Sequence, residues 1–444
     1  MKYRRIFDNA KWIVICKVVQ SLLQLLIGMF SARYLGPENY GLLKYAASVV
    51  AFALPVMKLG MDATLVHELV EKPHMESKII GTSLTMNFAS SLACMGAVSA
   101  FASVMNAGET ETILVCALYS VSLVFAALEM IQYWFQYKLM SKYSSITMLC
   151  VYTAVMVYKV FLLASGKSVY WFALSISLEY GLVAAVLLVI YIKKGGRLSF
   201  SLATAKEMLG RSKHYITASM MLVILQNTDH IMLTEMSGKF QNGLYSAAIT
   251  CTSVTQFVFI AIIDSFRPVI LENKKQNSDE YGLNVSRLYC VTQYLAIAQS
   301  VVFTVLAELI IIVLYGAEYS AAVPVLRILI WYYSFSVMGV VRNVWILAEQ
   351  KQKYLWVINL LGAMTNIVLN AFFIPRWDAC GAAAASLITQ FIMNFVIGFI
   401  FGPIRQNNRL LLRGINPMFA FRESKHVFSM LKNKETPEEA DNIY

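Results

Sequence analysis

Residues 17–45 constrain the fold more than any other stretch of the chain. Val18, Val19, Leu22, Leu23, Leu25, Leu26 and Ile27 predict an apolar helix. Lys17, Gln20, Gln24 and Ser31 fall on one face of it, at spacings of three, seven and fourteen. The run breaks at Arg33-Tyr34-Leu35-Gly36-Pro37-Glu38-Asn39-Tyr40-Gly41, and a second apolar helix follows. A polar stripe on a segment long enough to cross a bilayer is costly against lipid, so it should face protein or a water-filled cavity. The arrangement returns 202 residues later: Gln226 matches Gln24, and Gly238-x4-Gly243-Leu244 matches Gly36-x4-Gly41-Leu42. Two lobes with a polar cleft between them are expected.

Composition supports this reading. Of 444 residues 58% are hydrophobic and 14% charged, and the mean hydropathy of +0.60 is far above globular values. The basic start (Lys2, Arg4, Arg5) leads into an apolar segment too long for a signal-peptide core, so the first helix is expected to be retained. Twelve spans are predicted, from 10–32 to 381–402. With the N-terminus in the cytoplasm, only Arg33, Lys167, Lys239 and Arg376 lie outside, and Lys17, Lys44, Lys159, Arg327 and Arg342 lie within spans. The other 28 of the 37 Lys and Arg fall on the cytoplasmic side, which predicts both termini inside. The net charge of +11 therefore reflects orientation and attraction to anionic lipid headgroups rather than nucleic acid.

Seven cysteines stand alone, with no CxxC or Cys/His cluster, so no disulfide framework, metal site or cofactor is expected. The predicted fold class is an all-α integral membrane protein, with about twelve transmembrane helices in two pseudo-symmetric six-helix lobes around a central cavity. The lobes span 1–192 and 214–402, joined by a cytoplasmic linker (193–213) and followed by a basic cytoplasmic tail (403–444). In that tail Leu410, Leu411, Leu412, Phe419 and Phe421 are scattered among Arg residues, a pattern expected to lie against lipid.

Charges inside spans carry the functional reading, because each is costly unless paired or hydrated. Arg327, Trp331, Ser334, Met338 and Arg342 share a face of the tenth span; Asn359, Asn366 and Asn370 share one on the eleventh. Glu129, Gln132 and Gln136 align on the fourth, and Gln226, Asp229 and His230 on the seventh. The predicted substrate-binding cations are Lys17, Arg33, Lys44, Arg327 and Arg342, suited to a phosphate or diphosphate. The predicted polar lining is Gln20, Gln24, Gln132, Gln226, Trp331, Asn359, Asn366 and Asn370. Asp229 and Glu129 are the candidates for coupling to H⁺ or Na⁺. Plainer readings stand beside these: Arg33 and Arg342 as interfacial anchors, Lys159–Glu179 and Lys17–Glu129 as structural pairs, the Asn stripe as helix glue. Gly166-Lys167-Ser168 is not a P-loop, since position 161 is Phe, and no nucleophile elbow or HExxH motif occurs, so no enzyme is expected.

Three ordered pieces carry a family resemblance: Phe30-Ser-Ala-Arg33-Tyr-Leu-Gly36-Pro-Glu-Asn-Tyr-Gly41 with Leu59-Gly60; Asn227-Thr-Asp229-His-Ile-Met232 with Gly243-Leu-Tyr245-Ser-Ala-Ala248; and Pro324-Val-Leu-Arg327-Ile-Leu with Lys351-Gln-Lys353-Tyr354 and Ile374-Pro375 to Gly381. Together they resemble the Wzx-type polysaccharide and O-antigen flippases of the multidrug/oligosaccharidyl-lipid/polysaccharide exporter superfamily. The entry to span seven departs from the family, with Lys206-x-x-Leu209 leading into Ser212-Lys-His-Tyr215 where Ser-x-Pro is common. The resemblance implies a bacterial inner-membrane protein that moves an undecaprenyl-diphosphate-linked oligosaccharide to the outer leaflet by alternating access. Its partners would be membrane lipids and the polymerase and chain-length proteins of one pathway. The buried charges fit this reading, on the hypothesis that Arg327 and Arg342 contact the diphosphate or glycan and that Asp229 helps couple the cycle. The alternatives are a multidrug/cation antiporter of the same superfamily, which would want an acidic cavity, and a membrane glycosyltransferase or polymerase, which would need a larger extramembrane segment.

Overall fold

The computed structural model describes residues 2–276 and 280–423, apart from the side chains of 2–15, 17, 18, 21 and 218. Lys17's side chain and the tail beyond 423 thus lie outside the described residues. The described chain is helical throughout, without a strand. Its helices are α1 (Lys2–Met57), α2 (Leu65–Glu71), α3 (Glu76–Met105), α4 (Thr110–Ser120), α5 (Ser122–Glu129), α6 (Gln132–Tyr137), α7 (Ser141–Ala164) and α8 (Val169–Lys193). The second half adds α9 (Leu202–Ser237), α10 (Lys239–Ser253), α11 (Gln256–Lys275), α12 (Glu280–Tyr315), α13 (Ala322–Ala348), α14 (Leu355–Phe391), α15 (Ile397–Ile400) and α16 (Arg405–Ile415).

Among the described residues eight segments are long and apolar enough to cross a membrane, and nine if α10 and α11, bent by 41°, make one broken span. Two of the eight contain a kink at one non-helical residue. Gly36 (φ 70°, ψ 170°) divides α1, and Asp378 (φ 47°, ψ −126°) divides α14. Gly36 adopts a backbone that other residues reach only with strain, and Pro37 suits the first turn of the helix after it. At Asp378 a non-glycine residue takes a positive φ; after the turn Gly381 meets the backbone of Phe373 and Ile374. The 36-residue α9 is not among the apolar segments, because Gln226, Asn227, Asp229 and His230 lower its hydropathy.

The chain packs as two compact units that cut across the sequence repeats. The first takes Met1–Cys251, Glu308–Val325 and Ala363–Ala382; the second takes Thr252–Ala307, Leu326–Gly362 and Ala383–Tyr444. In the first unit an apolar core near the loops joining α1 to α3 and α5 to α7 gathers Met61, Leu65, Ile79, Phe135 and Met208 around Trp134. The Trp134 ring stands edge-on to Phe135 and Tyr191 at 5.0 and 4.9 Å, and its indole donates to Glu76 at 2.5 Å. The second unit has its own core, with Ile263, Leu288, Tyr289, Val341, Trp345, Ile397 and Leu411.

The start of α9 is held to the first unit by a charge cluster. Arg211 bridges Glu68 (3.2 Å), Glu71 (2.6 Å) and Glu207 (3.1 Å), while Lys72 pairs with Glu207. Hydrogen bonds from Arg211 and Lys72 hold the carboxyls of Glu71 and Glu207 below the ordinary range, and Glu71 raises Arg211. Beside it Ser212 donates to the Leu59 carbonyl at 2.7 Å.

Candidate functional site

The two repeated glycine motifs meet inside the first unit, at the end of α1's first segment away from the N-terminus. Gly238, between α9 and α10, has φ 90° and ψ 168°, nearly the backbone of Gly36. Helices therefore leave the two breaks in the same manner and pack on each other reciprocally. A Cβ on Gly41 would overlap the Lys239 carbonyl and lie 2.6 Å from the Gly243 nitrogen; one on Gly243 would overlap the Pro37 carbonyl. Backbone rests on backbone, which only glycine permits.

Polar side chains surround this clasp. Asn242 donates to the Gly41 carbonyl at 2.9 Å. The buried Tyr45 hydroxyl donates to the Glu235 carboxylate and accepts from Asn106 at 3.0 Å. At the rim Lys239 pairs with Glu109 at 2.8 Å, and Thr112 donates to the same carboxylate at 2.7 Å. Those two hydrogen bonds hold the Glu109 carboxyl below its ordinary range. Tyr319, from the α12–α13 turn, donates to the Ala32 carbonyl at 2.8 Å. Arg33 is exposed and lies against the same turn, near Gly316.

Deeper in the same unit is a buried polar network. Asp229, 6% exposed, accepts from the Tyr245 hydroxyl and from Asn370 Nδ2, each at 2.6 Å. Asn370 also donates to Asn366 at 3.1 Å. On the next residue, His230 Nδ1 lies 2.7 Å from Asn242 Oδ1 and 3.3 Å from the Ser246 hydroxyl. Thus α9, α10 and α14 bring one carboxylate together with carboxamide and phenol oxygens. That donor set suits a proton or a hard monovalent cation.

The remaining expected residues divide by location. Gln24 and Gln226 are exposed, and Gln20, Gln132 and Asn359 are partly exposed. Gln24 hydrogen-bonds Tyr152. Lys44 is half-buried with its ammonium 5.2 Å from the Tyr40 ring centroid. Lys159 is buried on α7 and feels Glu179 and Lys44, yet makes no close ion pair with Glu179. Glu129 is half-buried near Lys58 and Glu179. In the second unit Arg327 donates to the Thr304 carbonyl at 3.3 Å and Trp331 to its hydroxyl at 3.2 Å; Ser334 meets Ser300 at 2.9 Å. Arg327, Trp331 and Ser334 thus meet α12 along one stretch of α13.

Arg342 is more enclosed than Arg327. Only 5% exposed, it donates to the Met393 carbonyl at 2.6 Å, and its Nε has no partner among the described residues. Met393 lies in a π-helical turn, Ile392–Val396, which displaces carbonyls from the α-helical hydrogen-bond pattern. The guanidinium donates to one of them, among buried side chains. Periodicity placed Arg342 on the right face of α13 but carried no sign of the π turn opposite.

Asp229, Asn366 and Asn370 were expected as separate stripes, and the fold joins them. Sequence reasoning missed Tyr245, Asn242, Glu235, Tyr45, Asn106 and the Glu109–Lys239 pair. The repeat offset was the available signal, since 33 + 202 and 40 + 202 point to Glu235 and Asn242.

Comparison with known proteins agrees with this architecture. The structure is similar to lipid II flippase MurJ in an inward closed conformation: TM-score 0.69, 14% identity, covering 91% of this chain and 90% of that one. A multidrug resistance MATE family transporter of the MOP superfamily, in an inward-facing conformation, gives 0.66 at 12% identity, covering 89% and 96%. A MOP superfamily transporter from Pyrococcus furiosus gives 0.57 at 13%, covering 90% and 95%. At these identities the likeness shows the fold: an all-helical, multi-pass membrane protein of the kind used by flippases and transporters. No curated protein sequence matches the chain. The polysaccharide biosynthesis protein family matches residues 6–274, more than half of the sequence. The chain belongs to the polysaccharide biosynthesis protein family.

Proposed function

We propose that the chain is a flippase of the Wzx type. It would carry an undecaprenyl-diphosphate-linked oligosaccharide repeat unit from the cytoplasmic to the outer leaflet of the bacterial inner membrane, for O-antigen, capsule or exopolysaccharide assembly. The observation that carries the reading is the reciprocal glycine clasp between two repeated helix breaks, in a chain of a polysaccharide biosynthesis family. A contact of backbone on backbone, bordered by a few polar side chains such as Asn242 and Tyr45, can separate as a unit. The distribution of Lys and Arg supports a twelve-span, N-in, C-in protein, in which this clasp would lie at the outer face. The clasp then seals that face while the substrate is loaded from the cytoplasm.

Lys44, Arg33, Arg327 and Lys17 are the cations proposed for the diphosphate. Gln20, Gln24, Gln132, Gln226, Trp331 and Asn359 would meet sugar. Arg342, which donates to the Met393 carbonyl as Arg327 donates to that of Thr304, is the fifth proposed cation. Coupling is assigned to Asp229, with Glu129 as a second candidate. Protonation or Na⁺ binding at Asp229 would weaken its bonds from Tyr245 and Asn370, which tie α9, α10 and α14 together below the clasp. A cation antiporter is the second reading, favoured by the buried Asp229 and by the MATE-like fold.

Deletion of the gene decides between them. A flippase leaves lipid-linked repeat units accumulating on the inner leaflet; an antiporter leaves their distribution unchanged and alters drug efflux. Arg327→Ala and Lys44→Ala should each lower flipping at least about tenfold at normal expression, the equivalent of about 1.4 kcal/mol. Normal flipping in both variants would exclude the assigned cations.

A further inference from the structure

The short helix after the last span has two differently used faces. Its inner face is committed to the second unit. Asn408 Nδ2 donates to the Phe395 carbonyl at 2.7 Å, and Tyr289 donates to Asn407 at 3.0 Å. Leu411 is fully buried, and Gly414 lies so close to α12 that a Cβ would stand 2.6 Å from the Ser286 carbonyl. Tyr294 donates to the Ile415 carbonyl at 2.9 Å, and Arg287 pairs with Glu423 at 2.7 Å.

The outer face presents Arg405, Arg409 and Arg413 at spacings of four, all exposed, with Leu412 between them. None of the three has an acidic partner among the described residues. Beyond the helix Met418 and Phe421 are 82% and 63% exposed. Ile400, the last residue of α15, is 81% exposed only five residues before Arg405. That short distance holds α16 at the boundary between hydrocarbon and water. A rigidly anchored helix at that depth, with a cationic row and neighbouring apolar side chains, fits anionic phospholipid by both charge and polarity.

We propose that the outer face of α16 is a binding surface for anionic phospholipid headgroups. Arg405, Arg409 and Arg413 take the phosphates, and Leu412, Met418 and Phe421 enter the acyl boundary. The surface also has a structural consequence. Asn408 on α16 and Arg342 on α13 each hold a carbonyl of the π-helical turn, so lipid bound outside α16 steadies the end of the last span. The proposal rests on the chain spanning a membrane and is independent of which substrate it moves.

The test uses the purified full-length protein in neutral detergent, titrated with phosphatidylglycerol or phosphatidylcholine. Bound lipid is counted by native mass spectrometry, and the unfolding temperature is followed in parallel. Phosphatidylglycerol is expected to bind preferentially and raise the unfolding temperature. Arg409→Gln should weaken its binding about fivefold, the equivalent of about 1 kcal/mol. Arg405→Gln/Arg409→Gln/Arg413→Gln should abolish the preference, and the corresponding Lys triple should retain it. Equal binding of the two lipids by the wild type, or an undiminished preference in the Gln triple, would overturn the proposal. If the Gln triple does not elute as a single species, the Arg409→Gln ratio decides. Because no transport is measured, this result stands apart from the flippase reading.

Discussion

The two copies of the glycine motif share a backbone and differ in chemistry. Gly36 and Gly238 have almost the same dihedral angles, and Gly41 and Gly243 make the same approach to the other copy. At matched positions, however, the first copy has Ile27, Gly28, Arg33, Tyr40, Leu43 and Lys44 where the second has Asp229, His230, Glu235, Asn242, Tyr245 and Ser246. The first copy is cationic with an apolar interior; the second is acidic and hydrogen-bonded. Pseudo-symmetry thus supplies the clasp, and divergence within it makes one side cationic and the other acidic, the contrast on which the proposed anion-binding and coupling roles rest.

The largest expected effect tests the shared part. Gly243→Val would drive a side chain into the Pro37 backbone, which cannot yield as a side chain can. Transport should fall at least about a hundredfold, the equivalent of about 2.7 kcal/mol. Cys116 and Cys251, both buried in the wild type, should become reactive to a maleimide probe. Gly41→Val should match it; a mild Gly41 phenotype would show the copies to be unequal. Gly28→Ala is the control, since a Cβ there meets nothing within 4 Å, and thermal stability should hold or rise by up to about 1 kcal/mol.

Next comes the divergent part. Asp229→Asn removes the charged acceptor of Tyr245 and Asn370, and should cost about 1.5–3 kcal/mol of thermal stability. Transport in reconstituted vesicles should lose its response to an imposed H⁺ or Na⁺ gradient. Retention of that response would remove Asp229 from the coupling role. Tyr45→Phe leaves Glu235 and Asn106 each short of a partner and should cost about 1 kcal/mol by denaturation.

The smallest effect lies at the rim. Lys239→Gln should cost about 0.2–1 kcal/mol and show salt dependence, because the Glu109 side of the pair is largely exposed. Glu109's folded pKa lies below its unfolded value, so its contribution is present above the unfolded pKa and lost as pH falls through the folded one. In Lys239→Gln that folded pKa moves back up toward the unfolded value, and the acid-side loss of stability should shrink. An unchanged pH profile would show that the pair contributes nothing to closure.

Much of this was legible in the sequence. The helical class, the break at Gly36, its echo at Gly238 and the polar faces of α9, α13 and α14 follow from hydropathy and spacing. The tertiary arrangement added facts that spacing does not carry. Asp229 and Asn370 stand 141 residues apart, and their stripes gave a face for each helix without naming the neighbour. Arg342 shows the limit most clearly: its periodicity grouped it with Arg327 but carried no sign of the π turn at Ile392–Val396, whose Met393 carbonyl accepts from it.

By itself, then, the amino-acid sequence determined which segments leave water, where the chain must break, and that two breaks are alike. Those properties belong to contiguous residues: transfer free energy accumulates along a run, and a positive φ is a local demand met by glycine. Only the tertiary structure decided that the two breaks press against each other, that Asp229 is satisfied by Tyr245 and Asn370, and that Arg342 is enclosed. Each of these depends on which distant surface arrives opposite, and helical periodicity specifies a direction without specifying what lies there.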